Sequence, residues 1–201
     1  MTIILPFSGG VTAYLSLILN WYRTTLHSCP RCKGKAHRNG KYERTVYSQD
    51  ECFVIPIFRL YCPSCKISFS FIPSFIKPYA RFLNSYRFDL LQRHVVEEVS
   101  IRQTPSHSSA HGMHSVSTCT FRRWLKRFKK IAPEVSKYIT TRLLELRPGL
   151  SIPKGLPDVA LVLNAGQVLK LIVQFLLPEE SLDSYGVFDM LNLLLPGNLL
   201  V

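Results

Sequence analysis

Cys29-Pro30-Arg31-Cys32-Lys33 and Cys62-Pro63-Ser64-Cys65-Lys66 decide how this chain is read. Each is Cys-Pro-x-Cys followed at once by lysine, and 29 residues, 33 to 61, separate the two. A Cys-x-x-Cys turn sets two thiolates on one side of a tight loop, and two such turns together complete the tetrahedron that Zn²⁺ prefers. Cys29, Cys32, Cys62 and Cys65 are therefore the expected ligands of one Zn²⁺ ion. The ion is structural in this reading, because four protein ligands leave no open position for a water. Arg31, Lys33, Lys35 and Lys66 offset the residual negative charge of four thiolates.

The residues between the knuckles read as a β-hairpin. Tyr42 to Tyr47 and Cys52 to Tyr61 are rich in β-branched and aromatic residues, with Ser48-Gln49-Asp50-Glu51 as the turn. From Lys66 to Phe71, Lys66, Ser68 and Ser70 alternate with Ile67, Phe69 and Phe71, the period of a half-buried strand. Two knuckles and three strands predict a three-stranded zinc ribbon over 28–78. Pro56 suits an edge or bulge of the middle strand. Structural zinc in small domains contributes about 10–16 kcal/mol, more than a core of some fifty residues supplies, so the ribbon is expected to be unfolded without metal. Cys52, read as facing a strand interior, Cys119, His27 and His37 are taken as ordinary core or surface groups, not further ligands.

Outward from the ribbon, charge divides the chain. Residues 1–20 carry none; 21–147 carry 23 Lys+Arg against 8 Asp+Glu, net +15; 148–201 carry 2 against 5, net −3. The total of +12 on 201 residues points to a polyanionic partner, and 47% hydrophobic residues exclude wholesale disorder. The apolar run at the N-terminus is broken by Pro6 and Ser8-Gly9-Gly10, lacks a basic flank, and is too short to span a bilayer. Val159 to Leu177 carries Asn164, Gln167, Lys170 and Gln174. Neither segment is read as membranous, and the expected location is the cytoplasm.

Most of the positive charge falls on one predicted helix. From Ser117, a plausible N-cap, Phe121, Trp124, Leu125, Phe128 and Ile131 share one face, and Arg122, Arg123, Lys126, Arg127, Lys129 and Lys130 occupy the other. An aromatic-anchored stripe backed by six cations is what a phosphate-contacting helix needs. Upstream, Thr104 as cap and a short helix from Pro105 to Gly112 give helix-turn-helix spacing, with Thr118, Cys119, Arg122 and Arg123 at the groove-entering end. A longer helix, Tyr79 to Val99, supports it through Tyr79, Phe82, Leu83, Tyr86 and Leu90. His107, His111 and His114 lie in a Ser-rich stretch with no neighbouring Glu and are read as polar loop. Pro148-Gly149, Pro153 and Pro157 mark a linker, followed by apolar helical stretches near 158–177 and 180–195 suited to packing or to a homo-oligomer or partner contact.

These residues also resemble a bacterial domain family of unknown function whose members look like the zinc-ribbon and helix-turn-helix front ends of transposases. The resemblance rests on Ile3-Ile4-Leu5, Cys29-Pro30-x-Cys32, Gly40-x-Tyr42-x-Arg44, Ile57-x-Arg59-x-Tyr61-Cys62-x-x-Cys65, Phe71-Ile72-Pro73-Ser74-Phe75-Ile76-x-Pro78 and Val116-Ser117-x-x-Thr120-Phe121-Arg122-Arg123-Trp124-Leu125. It covers about residues 1–130 and implies binding of double-stranded DNA linked to mobile elements.

The expected architecture is α+β: an N-terminal segment (1–27), the ribbon (28–78), a basic helix-turn-helix-like region (79–147), and a linker with apolar C-terminal helices (148–201). The expected function is zinc-stabilised DNA binding through Thr118 and the six cations, without a catalytic domain. A complete transposase or nuclease needs clustered carboxylates for Mg²⁺, and no strand-borne Asp pair is visible. A ribbon for protein assembly or RNA binding, with Phe53, Phe58, Tyr61, Phe69 and Phe71 stacking on bases, is the remaining alternative.

Overall fold

The computed structural model describes residues 1–7, 9–106 and 115–146. The expected histidine loop (107, 111, 114), the linker and the C-terminal helices lie outside the described residues. The elements run β1 (Thr2–Leu5), α1 (Gly10–Thr24), β2 (His37–Tyr47), β3 (Cys52–Cys62), β4 (Ile67–Pro73), α2 (Asn84–Val95), α3 (Gln103–Ser106) and α4 (Thr118–Leu146).

The class is α+β, but the sheet has four strands, in the order β1-β4-β3-β2, and is not a three-stranded ribbon. The hairpin forms as expected: Tyr42 pairs with Ile57 and Tyr47 with Cys52, and the Ser48 hydroxyl accepts the Glu51 N–H at 2.9 Å to close the turn. A bulge lies between Arg38 and Lys41, where Gly40 takes φ 76°. Pro56 sits in a central strand, yet β4 pairs with β3 only from Arg59 to Cys62. Its stretch of β3 is therefore bonded to β2 alone, which spares it the ladder bond a proline cannot make.

The fourth strand is the N-terminus. Thr2-Ile3-Ile4-Leu5 lies parallel to β4, Ile3 opposite Phe71 and Leu5 opposite Pro73. Parallel neighbours need a crossover, and α1 starts it. Its buried positions, Val11, Tyr14, Ile18 and Tyr22, recur at helical spacing and join one core with Ile55, Ile57, Phe58, Leu60 and Phe69. The Tyr14 hydroxyl donates to the Pro56 carbonyl at 2.7 Å, and Tyr22 stacks on Phe58 with ring centroids 4.1 Å apart. The 1–27 segment is thus part of the ribbon's own core, which is larger than fifty residues would supply, and this lessens the fold's dependence on metal.

The expected helix from Tyr79 starts five residues later. Lys77-Pro78-Tyr79-Ala80 turns instead, with the Ala80 N–H on the Lys77 carbonyl at 3.1 Å and Tyr79, 93% exposed, at φ 65°. Residues 81–83 are then held extended beside β2, the Tyr47 N–H donating to the Arg81 carbonyl and the Leu83 N–H to the Tyr47 carbonyl. Backbone groups used this way cannot serve a helix.

The helix-turn-helix arrangement is not seen among the described residues, and most of its expected short first helix, 107–112, lies outside them. Ahead of α4 the described chain has the single turn α3, capped by Ser100, whose hydroxyl accepts the Gln103 N–H at 3.3 Å. Thr104 is not a cap. It is fully buried inside the turn, and its hydroxyl donates back to the Ser100 carbonyl at 2.9 Å. Among the described residues no helix is long and apolar enough to cross a membrane.

Candidate metal centre and basic helix

The two knuckles close on each other at one end of the sheet. Cys62 ends β3, Cys65 lies in the turn into β4, and Cys29 and Cys32 follow α1. The first knuckle is held by its own backbone: the Lys33 N–H donates to the Cys29 carbonyl at 2.9 Å, and the Cys29 N–H to the Gly34 carbonyl at 2.8 Å. In the second, the Cys65 N–H points at the Cys62 sulfur, 3.4 Å away. The residue after each second cysteine is left-handed, Lys33 at φ 60° and Lys66 at φ 54°. That conformation costs a non-glycine residue roughly 1–2 kcal/mol, and its recurrence at matching positions marks two turns held by something beyond local preference. Gly34 leaves room beside the site, since a Cβ there would stand 3.4 Å from the Cys32 sulfur.

All four sulfurs lie within 4.8 Å of one another, with Cys32 to Cys62 at 3.6 Å and Cys29 to Cys65 at 4.0 Å. Four thiolates about 2.3 Å from a central ion in a tetrahedron stand roughly 3.8 Å apart. The donor set and spacing therefore fit a metal ion held by Cys29, Cys32, Cys62 and Cys65. All four cysteines are free of disulfides, and Cys29 and Cys62 are fully buried. The thiols are poised unequally. Hydrogen bonding from the Cys32 amide, against the cost of burial, brings Cys29 down to about 7. The neighbouring Cys32 thiol, together with burial, pushes Cys65 up to about 12. Cys62 is drawn down by the Cys65 N–H but raised overall by burial and the Cys32 and Cys29 thiols. A bound cation would override these differences by favouring thiolate at every ligand.

The other candidates stay apart from the centre. His27 is buried among Trp21, Tyr22 and Phe71, its Nε2 3.3 Å from the Tyr22 carbonyl, and burial lowers its pKa. His37 and Cys119 are exposed. Cys52 is exposed too, at the first position of β3, and does not face the strand interior.

The basic helix forms as read. The Ser117 hydroxyl accepts the Thr120 N–H at 3.2 Å and caps α4. Phe121, Trp124, Leu125, Phe128 and Ile131 are buried, while Arg122, Arg123, Lys126, Arg127, Lys129 and Lys130 are exposed and Thr118 is half-buried. At 100° per residue the six cations cover an arc of about 160°. The opposite face is anchored by ring contacts, Trp124 on Phe82 at 5.5 Å and Phe121 on His94 at 5.6 Å, both edge to face. Of the aromatics considered as a base-stacking platform, Phe58 and Phe69 are core, Phe53 and Phe71 pack against it, and only Tyr61 is exposed.

The molecule is thus an α+β protein with four cysteines placed closely enough to hold a metal ion, and a separately anchored cationic helix. Residues 29–124 match the model of a family described as a domain of unknown function (DUF6431). The matched stretch opens on the first cysteine of the centre and ends at Trp124, so it takes in all four cysteines and Arg122 and Arg123 but not Lys126, Arg127, Lys129 or Lys130. No curated protein and no solved structure matches the chain.

Proposed function

We propose that the protein is a zinc-stabilised DNA-binding protein that works like the DNA-recognition front end of a transposase. The observation that carries this is α4. Six exposed cations stand on one face with no acid among residues 118–130, while the other face is fixed by Phe121, Trp124, Leu125 and Phe128. A helix held this rigidly presents its guanidinium and ammonium groups in a constant arrangement, so that phosphate contacts are made without first ordering the scaffold. Arg122 and Arg123 lie in the first turns, where the unpaired N–H groups of the helix N-terminus add to the attraction for phosphate.

Zinc is the metal of this reading, because an all-sulfur tetrahedral set suits Zn²⁺ and, when bound, the ion supplies cross-linking and no reaction chemistry. The chain's own residues do the positioning. The knuckles tie α1 to the β3–β4 turn, and α1 in turn covers the sheet through Tyr14 and Tyr22.

The test is binding of the metal-loaded full chain to a labelled 30-base-pair duplex and to the matching single strand at low salt. Tighter binding to the duplex is expected. No duplex binding at 50 mM salt overturns the reading, and preference for single-stranded RNA moves it to the RNA-binding alternative, which the burial of Phe58 and Phe69 disfavours.

A further inference from the structure

Packing does not explain Tyr79. It is 93% exposed, yet its backbone sits at φ 65°, a conformation that favours glycine. A large ring held there without burial in return is a group the fold presents to solvent. The presentation is built in. Arg44 of β2 donates to the Lys77 and Ala80 carbonyls, which flank Tyr79, and so ties the turn to the strand. Residues 81–83 then run extended beside β2, so that Arg81 and Phe82 point to opposite sides. Phe82 packs on Trp124 of α4, ring centroids 5.5 Å apart, and Arg81 opens into a cleft.

The cleft measures about 760 Å³, within the range of about 300–1,000 Å³ usual for small-ligand sites. Its walls come from both ends of the sheet order: Thr2 of β1, and Tyr42, Glu43 and Arg44 of β2, together with Tyr79 and Arg81. Tyr42, like Tyr79, is an exposed ring, and Arg81 is an exposed cation. Among the described lining residues Glu43 is the only acid. Aromatic faces stack on any base, and a guanidinium fork matches a phosphate. A paired base offers a protein only its edges, so a tyrosine face reaches a base that is unpaired.

We propose that the cleft bounded by Tyr42, Arg44, Tyr79 and Arg81 binds one unpaired nucleotide, its base laid on the Tyr79 ring beside Tyr42 and its phosphate on Arg81. Arg44 is the positioning residue that fixes the turn. The nucleotide is either a free mononucleotide or part of an unpaired stretch next to the duplex held by α4. The second source rests on the DNA-binding reading; the chemistry of the cleft does not.

The experiment is fluorescence anisotropy of the metal-loaded full chain with a blunt duplex, the same duplex carrying a short 3′ thymidine overhang, and a labelled oligothymidylate, with thymidine 5′-monophosphate as competitor. The overhang should tighten binding about tenfold over the blunt duplex. Tyr79→Gly removes the ring and suits the positive φ, so it should keep or raise the melting temperature, erase the overhang gain and leave blunt-duplex binding unchanged. Tyr79→Asn, which also tolerates that conformation, decides if the glycine loosens the turn. Arg81→Gln, at an exposed position, should weaken oligothymidylate binding about fivefold. An overhang gain, or nucleotide binding, that survives loss of the Tyr79 ring overturns the site. Blunt-duplex binding with no response to overhang, oligothymidylate or mononucleotide also overturns it and leaves the DNA reading standing. A ring-dependent overhang gain assigns the nucleotide to a DNA strand, and ring-dependent mononucleotide binding without that gain assigns it to a free nucleotide; both support the site. Ring-dependent binding of oligothymidylate or mononucleotide by a protein that binds no duplex removes the DNA reading and leaves the cleft.

Discussion

The dependence of DNA affinity on salt can be worked out from α4. Arg122 to Lys130 spans eight steps of about 1.5 Å, or roughly 12 Å of helix. Phosphates on one strand recur about every 3.4 Å along the duplex axis, so a helix laid along a strand meets about three to four of them. Each neutralised phosphate contributes about −0.9 to the slope of log affinity against log salt, giving a slope near −3 and about a hundredfold loss of affinity between 50 and 200 mM salt. Arg122→Ala with Arg123→Ala removes two contacts, bringing the slope near −1.4 and the loss below about tenfold. Both side chains are exposed and Ser117 still caps the helix, so the double variant should keep the parent circular dichroism. The assay is fluorescence anisotropy of a labelled duplex across a salt series, with Lys41→Ala, an exposed cation on β2, as the control that leaves the slope unchanged. A parent slope shallower than about −1, or a double variant with the parent slope, would refute the assignment of α4 as the phosphate-contacting element.

Elemental analysis should find one zinc per chain. Native thiol titration should then count two reactive cysteines, Cys52 and Cys119, rising to six after chelation; six reactive thiols in metal-replete protein would sink the four-cysteine centre. Tyr14→Phe deletes the hydroxyl that donates to Pro56 and leaves that carbonyl unpaired. A loss of about 1 kcal/mol is expected in urea unfolding, and no loss would show that water replaces the bond. Burial raises the Asp89 carboxyl to about 6, well above its value in an unfolded chain, so the folded state holds its proton longer. Stability should therefore fall as pH rises from about 4 to 6 and level off above. Asp89→Asn should flatten that stretch of the profile; an unchanged profile would assign the dependence to another group.

What was legible in the chain was everything with a short period or a short spacing. The two Cys-Pro-x-Cys knuckles, the hairpin about Ser48-Gln49-Asp50-Glu51 and the two faces of α4 capped by Ser117 are all local patterns, written within a dozen residues. Gathering the four sulfurs within 4.8 Å followed from them, because two turns that each fix a pair of thiols need only be brought together once.

What tertiary structure decided is where the chain satisfies groups that local sequence leaves open. Thr2-Ile3-Ile4-Leu5 is β-branched but only four residues long and without alternation, and it becomes the fourth strand because β4 offers an edge and α1 carries the chain back across the sheet. Tyr79 to Leu83 has a helical apolar spacing, but Tyr47 takes its backbone hydrogen bonds and holds it extended. Arg87 is a charged residue that the fold nonetheless buries, with α4 laying Trp124 against it. In each case the deciding partner is far away in sequence: hydrogen-bond capacity and burial belong to neighbours in space, and periodicity along the chain carries no record of them.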